Sequence, residues 1–264
     1  MRTGPGERVP AVVLATRPMG EADVLVVLLT PQQGKVRAAA RHARKSRRRF
    51  PGGLSGGAVG EATLAFRRNG LSRLEAFSPS LDHSGLGRDL TRFAYVAYLC
   101  ELTDVLLHEP EPDPALFTAL YGAIRRTMDQ PPRAVVLRLF ELRLLWSLGL
   151  LPALGACAVC GDEIGRGPTV PIDDARGGTL CPLHGRGAER ALTPVIDAAR
   201  CLVEAVDDTS IEDALAAVEA LPAGHRRALR DLVSGWLRAH LRAPLRSRQF
   251  FTKLGPSAGP GDDS

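Results

Sequence analysis

The hydrophobic period of this chain changes once, near Pro79, and that change constrains its fold more than any other feature. Up to that point the apolar residues come in short, β-branched runs bounded by turn residues; beyond it they recur at helical spacing. Residues 9–16 (VPAVVLAT) and 23–30 (DVLVVLLT) read as two strands joined by the hairpin-length link RPMGEA. PQQG at 31–34 is a turn, and KVRAAAR is a third strand with visible alternation. Lys35, Arg37, Ala39 and Arg41 fall on one of its faces, and Val36, Ala38 and Ala40 on the other. A loop containing GGLSGGAVG is too glycine-rich for helix. EATLAFRR and LSRLEAF then read as two more strands, joined at Asn69-Gly70, a strong hairpin signal. Five short strands in about 80 residues predict a small barrel. A five-stranded oligonucleotide-binding (OB) barrel fits that size, and an SH3-like barrel has a similar strand count.

After Pro79 the spacing predicts helices over 86–109, 114–130, 132–150, 193–206, 210–221 and 225–241. The second begins with a proline directly after Asp113, a good N-cap, and the third ends at Gly149. Residues 151–190 have no period and are rich in Gly, Cys and Pro. The expected fold class is therefore α+β and multidomain: an N-terminal five-stranded OB-type β-barrel, then an all-helical domain with an inserted zinc module. The expected boundaries are 1–80 for the barrel, 81–150 with 191–250 for the helical domain, and 151–190 for the module. Residues 251–264, ending GPSAGPGDDS, are expected to be a disordered tail. No internal repeat is visible.

With 264 residues there is room for one large or two ordinary domains with a proper core. No apolar run reaches the roughly 18 residues of a membrane span. The start of the chain, MRTGPGERVP, has no apolar signal region. Five cysteines in a chain this long do not read as a secreted disulfide framework, so a reducing, cytoplasmic setting is expected. Charge is uneven: residues 1–80 hold 14 Lys/Arg against 5 Asp/Glu, or +9, and the rest hold 20 against 24, or −4. A basic amino-terminal block on a mildly acidic remainder places any polyanion affinity in the barrel. Arg far outnumbers Lys, which codon preference in a high-GC genome accounts for.

Cys157-x-x-Cys160 is followed, after 20 residues, by Cys181-x-x-His184. Paired knuckles at this separation read as a structural zinc site, because each tight turn presents two ligands and two turns complete a tetrahedron. The alternative is a set of ordinary thiols. A catalytic zinc would need an open position, and the deaminase His-x-Glu before Pro-Cys-x-x-Cys is missing. No nucleophile elbow, P-loop or Rossmann fingerprint is present. The metal is expected to staple an irregular segment between helices. Cys100 and Cys201, within helical patterns, are expected in the core.

Residues 34–50, GKVRAAARHARKSRRRF, hold eight Lys or Arg and no acid. A solvated basic face, a nuclear-type signal and a nucleic-acid surface compete for it. Position favours the last, since Lys35, Arg37 and Arg41 project from one side of a strand. Arg44, Lys45, Arg47, Arg48 and Arg49 extend that charge into the loop, and Arg67, Arg68 and Arg73 flank the later hairpin. Aromatic residues in the first 80 positions are only Phe50, Phe66 and Phe77. The last two are expected in the core and Phe50 is the one candidate stacker on bases. Much Arg with few aromatics predicts backbone-dominated, sequence-neutral binding.

Taken together, these residues resemble the RecO family of bacterial recombination mediators over nearly the whole chain. The shared pattern is Val13, Leu14, Pro18, Gly20, Glu21 and Asp23, then Thr30, Gly34 and Lys35, then the basic run with Ser46 and Phe50 and the hairpin ending LEAF. The helical middle and the CxxC insert fit as well, and the Arg-rich composition resembles members from the Deinococcus lineage. The resemblance implies a non-enzymatic protein that binds single- and double-stranded DNA and anneals complementary strands. It implies RecR, the single-stranded-DNA-binding protein SSB and, indirectly, RecA as partners, and a cytoplasmic, nucleoid-associated setting without membrane contact. It departs from the family pattern at His184, where many members have a fourth Cys. The rival reading is a zinc-stapled protein-interaction scaffold whose nucleic-acid contact is incidental. A nuclease would need clustered carboxylates for Mg²⁺, and the basic barrel offers only Glu61 and Glu75 after Asp23, while Asp173-Asp174 reads as a turn.

Overall fold

A computed structural model describes residues 6–67, 70–81, 86–108, 111–165, 167–205 and 208–252. The expected Asn69-Gly70 turn, Arg68 and the tail beyond residue 252 lie wholly or partly outside them. The described residues divide into two compact units, one within Met1–Pro132 and Ala243–Ala258 and the other within Arg133–Arg242. The first two helices thus belong with the barrel, whereas the change of period alone puts the break near residue 80.

In the first unit, strands β1 (Glu7–Met19), β2 (Asp23–Thr30), β3 (Gly34–Ala40), β4 (Val59–Ala65) and β5 (Ser72–Pro79) close into a barrel in the order β1-β2-β3-β5-β4. The parallel β3–β5 pair, Ala38 with Ser72 and Ala39 with Arg73, closes an otherwise antiparallel ring. β1 serves two neighbours: residues 7–12 pair with β4, residues 12–19 pair with β2, and a bulge at Leu14 bends the strand between them. Val9, Ala11, Val13, Val26, Leu28, Val36, Ala38, Ala40, Leu64, Leu74 and Phe77 fill the barrel. Gly34 must be glycine. Its φ is +59°, and a Cβ there would lie 2.0 Å from the Glu111 carbonyl oxygen.

β1 and β2 lack alternation because both their faces are covered. Val12, Leu14, Val27 and Leu29 point away from the barrel interior yet are at most 4% exposed. They lie under helices α1 (Leu90–Leu106) and α2 (Pro114–Asp129), which pack on β1 and β2. The helix starts follow the capping chemistry. Asp89 accepts the Arg92 N–H at 3.0 Å, and Asp113 accepts the Leu116 N–H at 2.8 Å. α1 is buried on several sides, including Tyr95, Tyr98, Leu99, Cys100 and Leu102. Part of that cover comes from helix α7 (Arg248–Thr252), which the sequence does not announce. Glu101 accepts the Arg246 and Ser247 N–H groups at 2.9 and 2.7 Å, and Phe251 sits between Tyr95 and Tyr98. Residues 251 and 252 are therefore helical rather than tail, held by burial of Phe251 at 4% exposure.

The second unit packs α3 (Ala134–Ser147), α4 (Thr193–Glu204), α5 (Asp208–Glu219) and α6 (Ala223–His240) together. Arg138 and Glu141, one turn apart on α3, form a buried ion pair at 2.6 Å. Between α3 and α4 the chain forms a three-stranded sheet, β7-β6-β8, from β6 (Thr169–Asp173), β7 (Gly178–Thr179) and β8 (Glu189–Leu192). Trp236 on α6 donates its indole N–H to Asp174 at 2.8 Å, tying the insert to the helices. Cys201 is exposed, against the expectation of a core residue. α4 buries Val195, Ile196, Ala198, Ala199 and Leu202, and position 201 falls off that stripe.

Candidate nucleic-acid interface and metal centre

The β3 alternation is as expected, with Arg37 exposed and Val36, Ala38 and Ala40 buried, but the two ends of its basic face differ. Lys35 is only 8% exposed. Its ammonium pairs with Asp104 Oδ1 at 2.7 Å and donates to the Leu107 carbonyl at 2.7 Å and to the Asp104 carbonyl. α1 ends there, so the ammonium satisfies the orphan carbonyls of the last turn and complements the negative end of its dipole. Lys35 thus leaves the exposed basic face because a helix end covers it.

The parallel pairing sets Arg73 beside Ala39, the small residue between Arg37 and Arg41. Arg41, Arg67 and Arg73 line one cleft of about 330 Å³ with Asp23, His42 and Leu71. Arg37 and Arg67 line an adjoining cleft of about 550 Å³ with Gln33, Phe66 and His108. Residues that follow β3 and residues of β5 and the β4–β5 connection therefore line clefts that share Arg67 and Ser72. Arg73 is paired with Glu75, and Asp23 accepts the His42 N–H at 2.8 Å.

Beyond β3 the chain turns sharply. His42 adopts left-handed backbone with φ 54°, uncommon outside glycine. Arg44, Lys45, Arg47 and Arg48 are exposed on the loop that follows. Arg49 is half-buried and already engaged: its guanidinium donates to Ser46 Oγ at 3.1 Å and to the Arg41 carbonyl at 2.8 Å. Phe50 is 2% exposed and packs in the barrel core, so it is no stacking platform. Its ring anchors the loop, helped by the Phe77 N–H donating to the Arg49 carbonyl at 2.9 Å. Phe77 is fully buried and Phe66 packs partly buried against the same core, as expected. Arg17, at the end of β1, was not singled out by sequence. It lines a third cleft with Arg44 and Arg47, and that nearness depends on how the β1–β2 turn packs against the loop.

In the second unit Cys157, Cys160, Cys181 and His184 bring one ligand atom each within 4.8 Å of one another. His184 Nδ1 lies 3.3 Å from Cys181 Sγ and 3.6 Å from Cys157 Sγ, and the Cys160 and Cys181 sulfurs are 3.9 Å apart. Metal–sulfur bonds of about 2.3 Å and metal–nitrogen bonds of about 2.0 Å on a tetrahedron give edges of roughly 3.5–3.8 Å, so the four atoms fit one ion. The local turns explain the convergence: the Gly161 N–H donates to the Cys157 carbonyl and the Gly185 N–H to the Cys181 carbonyl, each at 2.8 Å. A Cβ on Gly185 would lie 2.4 Å from Pro171 Cβ. Burial pushes the Cys157 thiol up, but the N–H groups of Cys181, Cys160 and Val159 outweigh it and bring it down to about 5, favouring a thiolate ligand. At Cys160 the Asp162 N–H lowers the thiol, yet burial and the Asp162, Cys157 and Cys181 side chains raise it to about 12. Converging sulfurs resist ionising together unless a cation lies among them. Arg176 donates to the His184 carbonyl at 2.7 Å, holding the knuckle from outside.

Asp173 accepts the Ala175 and Arg176 N–H groups at 3.0 and 3.3 Å, so this carboxylate caps a turn. Among the described residues no helix is long and apolar enough to cross a membrane.

The family model described as Recombination protein O N terminal matches residues 5–80, and that described as Recombination protein O C terminal matches residues 87–249. A protein from Anaeromyxobacter sp. (strain K) named DNA repair protein RecO is 36% identical over 253 residues, 96% of this chain and 98% of its own. Its namesake from Myxococcus xanthus (strain DK1622) is 32% identical over 248 residues, 93% and 96% of the two chains. Another from Pelobacter propionicus is 38% identical over 184 residues, 68% and 74%.

Proposed function

The chain belongs to the RecO family, and on that premise we propose that it is a DNA-binding mediator of repair and recombination that carries out no chemistry of its own. It binds single- and double-stranded DNA, anneals complementary strands, and with RecR helps load RecA on strands coated by SSB, in the cytoplasm at the nucleoid. The observation that carries this reading is the exposed arginine groove of Arg37, Arg41, Arg67 and Arg73 on a closed five-stranded barrel. Two phosphate backbones repel each other. A dense guanidinium surface screens that repulsion and leaves base edges free to pair. Lys35 lines the Arg37 cleft, but its ammonium is committed to Asp104 and the helix-end carbonyls, and Arg49 acts by bracing the loop.

Zinc is the metal that three thiolates and one imidazole suit, held by Cys157, Cys160, Cys181 and His184 Nδ1. When bound it supplies four bonds to a segment that has little core of its own beyond Leu180 and its neighbours. A scaffold role has one observation in its favour: Val159 and Leu183, at matching places in the two knuckles, are 53% and 65% exposed.

The test is a salt titration of single-stranded DNA binding. About five phosphate contacts give a slope of log K on log salt near −3.5. An Arg37→Glu/Arg41→Glu/Arg67→Glu/Arg73→Glu variant of unchanged melting temperature should lose affinity and flatten the slope. An unchanged slope would sink the groove and leave the scaffold reading.

A further inference from the structure

The basic run folds around a fixed corner, and the corner has two sides. Left-handed His42 is held by Asp23 at 2.8 Å, the Arg44 N–H donates to the Ala22 carbonyl at 3.2 Å, and Arg49 closes onto the Arg41 carbonyl at 2.8 Å. Arg41 and His42 therefore face the groove with Arg67 and Arg73. Ala43, Arg44 and Arg47 face a different cleft with Arg17. Among the described residues the two share no lining residue.

This second cleft is large, about 790 Å³. Much of its lining is apolar, including Pro18, Val24, Pro51 and Leu54, and among the described residues that line it there is no carboxylate. Gly52 and Gly53 form part of its wall. Both have positive φ, and neither would have any atom within 4 Å of an added Cβ, so a flat ring can approach their backbone. Two chemistries coincide here. The apolar lining suits an unstacked base, and three guanidinium groups at the rim suit the phosphates on either side of it. A duplex keeps its bases stacked inward and has no use for such lining. The groove of Arg37, Arg41, Arg67 and Arg73 also has apolar lining, at Leu71 and Phe66, but its clefts are smaller, about 330 and 550 Å³, and the carboxylate of Asp23 lines the first.

We propose that the Arg17–Arg44–Arg47 cleft is a second DNA site, selective for an unpaired strand, so that one protomer holds two strands on opposite sides of the His42 corner. The proposal rests on the DNA-binding reading above and assigns the two halves of the basic run to different strands. Annealing then needs both sites, whereas binding of a first strand needs only one.

The experiment uses the full chain at low salt with thymidine oligomers, which cannot pair with each other. Native mass spectrometry counts strands per protomer, and annealing of complementary strands is followed separately. Wild type is expected to carry two oligomers per protomer. Arg17→Glu/Arg44→Glu/Arg47→Glu should bind its first oligomer normally, fail to take a second, and anneal about tenfold more slowly or worse. Arg17→Gln/Arg44→Gln/Arg47→Gln, the milder change, should show the same loss of the second strand if charge reversal impairs folding. A wild type saturating at one oligomer per protomer overturns the two-site proposal while DNA binding itself stands. So does a cleft variant that still carries two. A wild type that binds no oligomer removes the DNA-binding reading and this proposal with it.

Discussion

The basic run of the barrel and the Cys/His knuckles, the two sites we propose for ions, hold their own groups in opposite ways. The knuckles converge: four side chains aim at one point, from turns whose backbone hydrogen bonds leave them little choice. The basic run diverges: of eight cations between Lys35 and Arg49, one is buried against a helix end, one braces the loop, and the rest spread around a corner. The aim of the two ligands in each knuckle is set by spacing within a few residues, and the Ala158 N–H donating to the Thr179 carbonyl at 2.9 Å joins the two knuckles. Cation availability is set by what packs on top, which for Lys35 depends on Asp104 and Leu107, 69 and 72 positions away.

The comparison breaks most clearly at the proposed metal site. Structural zinc contributes on the order of 10 kcal/mol in small modules. Strong chelation, or Cys157→Ala, is therefore expected to loosen residues 151–190 and leave the barrel folded. Hydrogen exchange reads both regions at once, and loss of protection in the barrel strands would show that the two sites are not independent. Next in size is Phe50→Ala. If Phe50 anchors the loop from the core, the change costs about 3–5 kcal/mol in thermal or denaturant unfolding of the barrel. A stacking residue would instead lose DNA affinity at constant stability.

Lys35→Met should cost about 3 kcal/mol, because Asp104 and the last α1 carbonyls lose their partner in a largely dry site. The salt slope of DNA binding should stay as in wild type. A slope shallower by about 0.7 would return Lys35 to the phosphate-contacting set. The smallest effect is expected at Asp113→Ala, about 1 kcal/mol, from loss of the N-cap of α2. It tests whether α2 belongs energetically with the barrel: the barrel transition should move with it.

The barrel strands were legible because turn residues bound them, β1 and β2 are rich in valine, and β3 even shows which face is polar. The six main helices were legible from period and caps, as Asp113 followed by Pro114 shows. α7 was not. Five residues are too few for a period, and its reason to be helical is the contact of Phe251 with Tyr95 and Tyr98 and of Phe250 with Phe93. Cys201 was misplaced because one thiol in a helical pattern says nothing of which stripe it occupies. Phe50 was misjudged for a related reason: seated in a polar, cationic run, it looks like a surface residue, and only barrel closure shows the hole it fills.

What local chemistry can settle, this sequence settled on its own: strand and helix by period, helix starts by caps, and the four converging ligands by knuckle spacing. What needed the folded chain was every statement about availability. Whether a cation is free, a ring is exposed or two basic stretches share a groove depends on contacts between distant residues. The parallel pairing of Ala39 with Arg73 and the α1 end over Lys35 are two such contacts. A charge keeps its sign wherever it is placed, but its solvation and its partners come from packing, and packing is decided by the whole chain at once.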